Sequence, residues 1–197
     1  MILRPGKTPS GVEVRKLLSR LICRIRRHWP NTHITIRGDA HYGREEAMTW
    51  CENYGIDYVF GLSGNVVLDR LVDAAADDIR VRRAESQADV LRGFTETRYA
   101  AKSWSNERRV VARIEASASH ADDMLRRGID IRYVVTSLKR GDAEHVYATD
   151  YCARGQAENL IKQHKAQLAS DRTSCRSPWP TRCGSSSQAV SVVFWLQ

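Results

Sequence analysis

The chain has 197 residues, 42% hydrophobic and 27% charged, with 31 Lys and Arg against 23 Asp and Glu and a formal net charge of +8. That length holds one domain, or one with an inserted piece; the composition supports a packed core, and the basic excess favours a polyanionic partner, nucleic acid foremost. No run approaches the ~20 apolar residues of a membrane span, the start lacks the apolar core of a signal peptide, and the five cysteines form no C-x-x-C pair or zinc spacing, so membrane, secreted and zinc-binding classes are set aside and a cytoplasmic location is expected.

Pro5, Gly6 and Pro9 keep residues 1–9 extended or looped. Gly6-Lys7-Thr8 reads as a basic loop, because the leading glycine and preceding strand of a phosphate-binding loop are missing. Ser10, with Glu13 three residues on, forms a capping box and opens a helix to about His28. Leu17, Leu18, Leu21, Ile22 and Ile25 give that helix its apolar face. Arg15, Lys16, Arg20, Arg24, Arg26 and Arg27 make the remainder basic, as a lining for a DNA groove or as a solvated face. Pro30 stops it.

His33–Arg37 alternates and is β-branched, so a strand is expected, ending at Gly38-Asp39. A second helix follows over Arg44–Tyr54 and is closed by Gly55. Tyr58–Leu62 is a short apolar strand suited to a parallel sheet, and Asn65 opens a third helix to about Ala76.

Beyond that point the texture changes. Strands are expected at Phe94–Ala100, Arg109–Glu115 and Tyr133–Leu138, with a loop or short helix over Ser117–Arg127. Within that loop His120-Ala121-Asp122-Asp123 reads as solvated polar sequence rather than a metal site. A last helix is expected over about Asp150–Ala169. From Cys175 the chain is rich in Ser, Pro and Arg without an acidic residue, which predicts a disordered tail before a short apolar run, Val190–Leu196.

Two features carry chemistry. On the last helix each residue advances about 100°, so with Tyr151 at zero, Arg154 lies at about −60°, Glu158 at about −20° and Lys165 at about −40°. A carboxylate thus shares one stripe with a phenol, a guanidinium and an ammonium, a set suited to a metal ion and phosphates. Asp39 lies just beyond a strand end, the usual place for a site in an open α/β sheet, although Asp there is also an ordinary turn residue. Gly38 is expected to permit an unusual backbone angle and Gly43 to loosen the following turn.

An Asp at a strand end, a β-rich stretch, and then Tyr151, Arg154, Glu158 and Lys165 at the spacing Tyr-x2-Arg-x3-Glu-x6-Lys resemble bacterial insertion-sequence transposases of the DDE class. Tyr58–Leu62, Ser103-Trp104-Ser105 and Arg132–Leu138 look like the same family, and the resemblance covers about residues 1–174. It implies an α/β fold, a partial ribonuclease-H-like core with an inserted β-rich region. Residues 1–76 and the Glu-bearing helix of 141–174 would form the core, 77–140 the insertion and 175–197 the tail.

The resemblance further implies Asp39 and Glu158 as catalytic, metal-binding carboxylates for Mg2+ in a two-metal DNA phosphoryl transfer. It implies Tyr151, Arg154 and Lys165 as contacts to the phosphates of double-stranded transposon inverted repeats. Trp104 is either a base-stacking residue or part of the β packing. The family's first Asp lies on a strand before the basic helix, whereas no Asp or Glu precedes Glu13 here. The expectation is a chain truncated at the front and frameshifted after Ser174, unable to cut DNA alone. Other expectations are a non-catalytic fragment modulating a full-length transposase, through homo-oligomers or mixed oligomers, and a basic α/β nucleic-acid-binding protein outside this family.

Overall fold

A computed structural model describes residues 10–117, 128–152 and 193–196. The expectations for residues 1–9, for most of Ser117–Arg127, and for Arg154, Glu158 and Lys165 lie outside the described residues. Nine elements and one π-helical segment follow in chain order: α1 (Gly11–His28), β1 (Ile34–Gly38), α2 (Glu45–Asn53), β2 (Asp57–Leu62), α3 (Val66–Ser86), β3 (Val90–Tyr99), β4 (Arg108–Ser117), β5 (Ile129–Thr136), the π-helical His145–Tyr151, and β6 (Val193–Leu196).

All six strands join one sheet in the order β3-β4-β5-β2-β1-β6. β1 and β2 run parallel, with Gly38 opposite Phe60. β3, β4 and β5 form an antiparallel meander that meets β2 along Val59↔Thr136 to Leu62↔Tyr133. The sheet buries both faces. Ile34, Ile36, Tyr58, Phe60, Val110, Ala112 and Tyr133 meet Val14, Leu18 and Ile22 of α1, Met48 of α2, and Leu68 and Val72 of α3. On the opposite face Val59, Val111 and Val134 meet Val146 and Tyr147 of the π-helical segment.

The helix starts follow local chemistry. Ser10 Oγ accepts from the Glu13 amide at 3.3 Å, and Glu13 Oε2 accepts from the Ser10 amide at 2.8 Å, which satisfies two of the donors a helix start leaves open. Asn65 Oδ1 accepts from Val67 and Leu68, each at 3.0 Å. Gly55, at φ +62°, turns the chain out of α2 into β2, a conformation that costs glycine little.

Three expectations shift. α3 runs ten residues past Ala76 to Ser86 because Ile79 is buried against Ile114 and Ile129 and its acidic residues pair with its arginines (Asp77–Arg80 2.7 Å, Asp78–Arg82 3.5 Å). Helical backbone is present before Asp150, in the π-helical His145–Tyr151, held at its start by Asp142, whose Oδ1 accepts from the His145 amide at 2.8 Å; the expected helix beyond Cys152 lies outside the described residues. In the apolar run that ends the tail, for which no element was expected, Val193–Leu196 pairs antiparallel with β1; a short apolar run can supply the bonds that a bare strand edge lacks.

Candidate active site at the end of strand β1

Asp39 follows the last residue of β1, at the carboxyl end of the two parallel strands, and is half-buried. Its Oδ1 accepts from the His41 amide at 2.9 Å, and its carbonyl accepts from the Tyr42 amide at 3.1 Å. The carboxylate is therefore oriented by the loop's own backbone, as in an Asx turn. Tyr42 is buried beside Phe60, with ring centroids 6.1 Å apart.

The glycines of this loop work through space rather than through unusual angles. Gly38 has no positive φ, contrary to expectation, and neither has Gly43. A Cβ on Gly38 would stand 2.7 Å from the Tyr42 ring, and one on Gly43 would stand 2.9 Å from the Gly61 carbonyl oxygen. The decisive position is Gly61 of β2. A Cβ there would lie 2.9 Å from the Ala40 nitrogen, 3.2 Å from the Asp39 carbonyl carbon and 2.8 Å from the Tyr151 hydroxyl. The absence of a side chain at Gly61 is what brings the Asp39 loop and the Tyr151 phenol against the same spot. Gly61→Ala should therefore cost about 1–3 kcal/mol as overpacking against backbone that cannot rotate away, measured by urea unfolding; a loss below about 0.5 kcal/mol would show that the loop is free to move off.

Arg37 was missed by the sequence reading. It lies two residues before Asp39 on the same face of β1, is 2% exposed, and donates from Nη1 to the Asp150 carbonyl at 2.6 Å. It ties β1 to the end of the π-helical segment and thereby positions Tyr151. The available signal was an arginine in line with Thr35 on a strand whose other face is isoleucine. Tyr151 continues an aromatic chain: its ring is 5.5 Å from that of Tyr147, which is 5.9 Å from Phe94. Burial pushes the Tyr147 phenol up to about 12, so it stays protonated at neutral pH.

Trp104 sits in the β3–β4 connection, edge-on to Tyr99 at 5.4 Å and over the Arg108 guanidinium at 5.3 Å. It belongs to the packing around α2 and is not part of the Asp39–Gly61–Tyr151 cluster. Two clefts, of about 1170 and 840 Å3, share Asp57, Ser137, Lys139 and Gly141 at the amino end of β2, and Asp39 lines neither.

Among the described residues no three His, Cys, Asp or Glu side chains converge on one point. At this loop Asp39 offers one hard oxygen donor of the kind divalent cations take. No helix among them is long and apolar enough to cross a membrane. The family described as transposase DDE domain group 1 matches residues 1–182. That match runs past Ser174, where the resemblance read from the sequence stops. No curated protein and no solved structure matches the chain.

Proposed function

The chain belongs to the transposase DDE domain family, group 1, whose ribonuclease-H-like core its mixed sheet represents in part, and from that premise we propose that it binds transposon-end DNA and contributes Asp39 and Glu158 to a divalent-metal site for DNA phosphoryl transfer. The observation that carries this reading is the convergence of the Asp39 loop and the Tyr151 hydroxyl on Gly61. Tyr151, the first residue of the Tyr-Arg-Glu-Lys spacing, thereby lies against the loop that carries Asp39.

Family members work with a divalent metal; in this reading Asp39 and Glu158 would hold Mg2+, which would supply charge stabilisation in phosphoryl transfer. This chain's own residues orient the DNA. Arg154 holds a phosphate through its planar fork and Lys165 acts as a point charge. Tyr151 donates its hydroxyl proton to the same backbone. Trp104 would reach DNA only by leaving its contacts with Tyr99 and Arg108.

In this reading Asp39 and Glu158 supply two of the family's three carboxylates, and the chain binds DNA ends without cutting them until a third is supplied. The same property supports a second reading, in which the chain occupies inverted repeats in place of a full-length transposase or joins it in mixed oligomers.

The test is a binding and nicking assay with inverted-repeat duplex and Mg2+. Preferential binding without nicking is expected, with nicking appearing when a segment bearing the third carboxylate is co-expressed. Affinity no better than for random duplex would sink the transposon-end reading.

A further inference from the structure

The strongest unexplained charge lies on α1. With Lys16 at zero, Arg27 falls at about +20°, Arg20 at about +40° and Arg24 at about +80°, with axial steps of about 6, 6 and 4.5 Å. All four are exposed, while the buried Val14, Leu18 and Ile22 lie on the far side of the helix. The one acidic residue at the head of this face, Glu13, is engaged with Ser10 in the capping box.

Two comparisons within the molecule show that this is not an ordinary helix surface. On α3 two arginines are matched by acids one turn away, Arg80 with Asp77 and Arg82 with Asp78. On α1 itself Arg26 is used by the fold, donating to the carbonyls of Pro30 and Thr32. The four stripe cations have no such partner among the described residues. Like charges three and four residues apart destabilise a helix. Favourable interaction with the helix dipole reaches only the last turn, so it supports Arg27 but not Lys16 or Arg20. The repulsion is thus left without an offset inside the chain.

We propose that this stripe is a second nucleic-acid surface, a track for the phosphate backbone of duplex DNA on the helical face of the sheet. It lies on the face of the sheet opposite to the Arg37–Tyr151 side, and so engages DNA other than the strand held at Asp39. Duplex DNA is the occupant favoured by the charge: a linear row of four cations faces a polymer carrying one negative charge per ~1.7 Å. The contact reads no sequence, since the side chains that form it are two kinds of long flexible cation. The proposal rests on the reading of this chain as a DNA-handling protein, but not on which carboxylates do chemistry.

The test uses the full chain and a labelled duplex of arbitrary sequence, about thirty base pairs long, titrated at several salt concentrations. Replacing Lys16, Arg20, Arg24 and Arg27 together by Gln preserves helix propensity. It should make the slope of log affinity against log salt shallower by about 3 to 4, and weaken binding on the order of 100-fold at 50 mM salt. Arg80→Gln with Arg82→Gln should leave the slope unchanged.

A second measurement needs no variant. Cys23 is exposed and lies at about −20° on the same face, so the duplex should slow its alkylation. An unchanged slope in the fourfold variant, or an unprotected Cys23 in the saturated complex, overturns the stripe alone. Loss of the slope without any preference for inverted repeats keeps the stripe and sinks the transposon-end reading. An original chain that binds no duplex at low salt sinks both, and displacement of the duplex by phosphatidylserine vesicles more readily than by unlabelled duplex reassigns the stripe to an anionic membrane.

Discussion

Arg108→Ala should lower the unfolding free energy by about 3–5 kcal/mol, the cost typical of removing one partner from a buried ion pair. The Arg108 side chain is 3% exposed. Its Nε and Nη2 hold the two oxygens of Glu52 at 2.6 and 2.9 Å, Nη1 holds Glu45 at 2.6 Å, and Nη2 also donates to Thr49 at 3.0 Å. Tyr58 donates to Glu52 at 2.7 Å, and Glu45 Oε1 takes the Ser105 amide at 3.0 Å and its hydroxyl at 2.6 Å. One guanidinium thus ties α2, β2, the start of β4 and the β3–β4 connection together. Without it, the partly exposed carboxylates of Glu45 and Glu52 lose the cation they share.

Arg108→Lys should recover only part of the loss, because an ammonium cannot match a bidentate carboxylate. Urea unfolding measures both, and a change below about 1 kcal/mol for Arg108→Ala would place the cluster among ordinary surface pairs. The pH dependence has a definite sign. Burial alone would raise the Glu45 pKa, but hydrogen bonds from Arg108, Ser105 and Thr49 bring it down from 4.5 to about 2. A carboxylate depressed in the folded state contributes stability that is complete above its unfolded value and is lost as pH falls from about 4.5 towards 2. Arg108→Ala should flatten the stability profile across that window.

Asp39→Asn should reduce metal-dependent cleavage by more than about 100-fold in the reaction complemented with the third carboxylate. Loss of partners that merely support a metal ligand already costs about 10–100-fold, and a direct ligand should cost more. Asparagine keeps the oxygen that accepts the His41 amide, so the loop should stay folded while the anionic charge disappears. Mn2+ binding, read by paramagnetic relaxation, should weaken in parallel, and affinity for inverted-repeat duplex should change by less than about threefold. Glu158→Gln should behave alike. If cleavage by the Asp39→Asn protein stays within tenfold of the original, the carboxylate site lies elsewhere.

The first half of the fold was legible because its signals are local. Ser10 and Glu13 cap a helix three residues apart, Pro30 ends it, and Gly55 closes the next. The strand ends were less legible. In β5, Asp130 and Arg132 interrupt the apolar pattern, and their strand character depends on Arg113 of β4, which holds Asp130 at 2.5 Å. The far half of α3 was missed for a related reason: Ile79 reads as one apolar residue in a charged run until β4 and β5 are laid beneath it.

The sequence by itself determined that a carboxylate stands at the end of a strand, that a Tyr-Arg-Glu-Lys spacing follows, and that the chain is basic. These depend on neighbours a few residues apart, or on composition, and need no coordinates. Only the tertiary structure decided that the Asp39 loop and Tyr151 meet at Gly61, that Arg37 reaches the Asp150 carbonyl across 113 residues of sequence, and that Arg108 serves Glu45 and Glu52. It also separated the arginines of α1 into one used by the fold and four facing solvent. Helix periodicity orders those side chains around the axis, but which angle faces the core is set by the sheet the helix lands on.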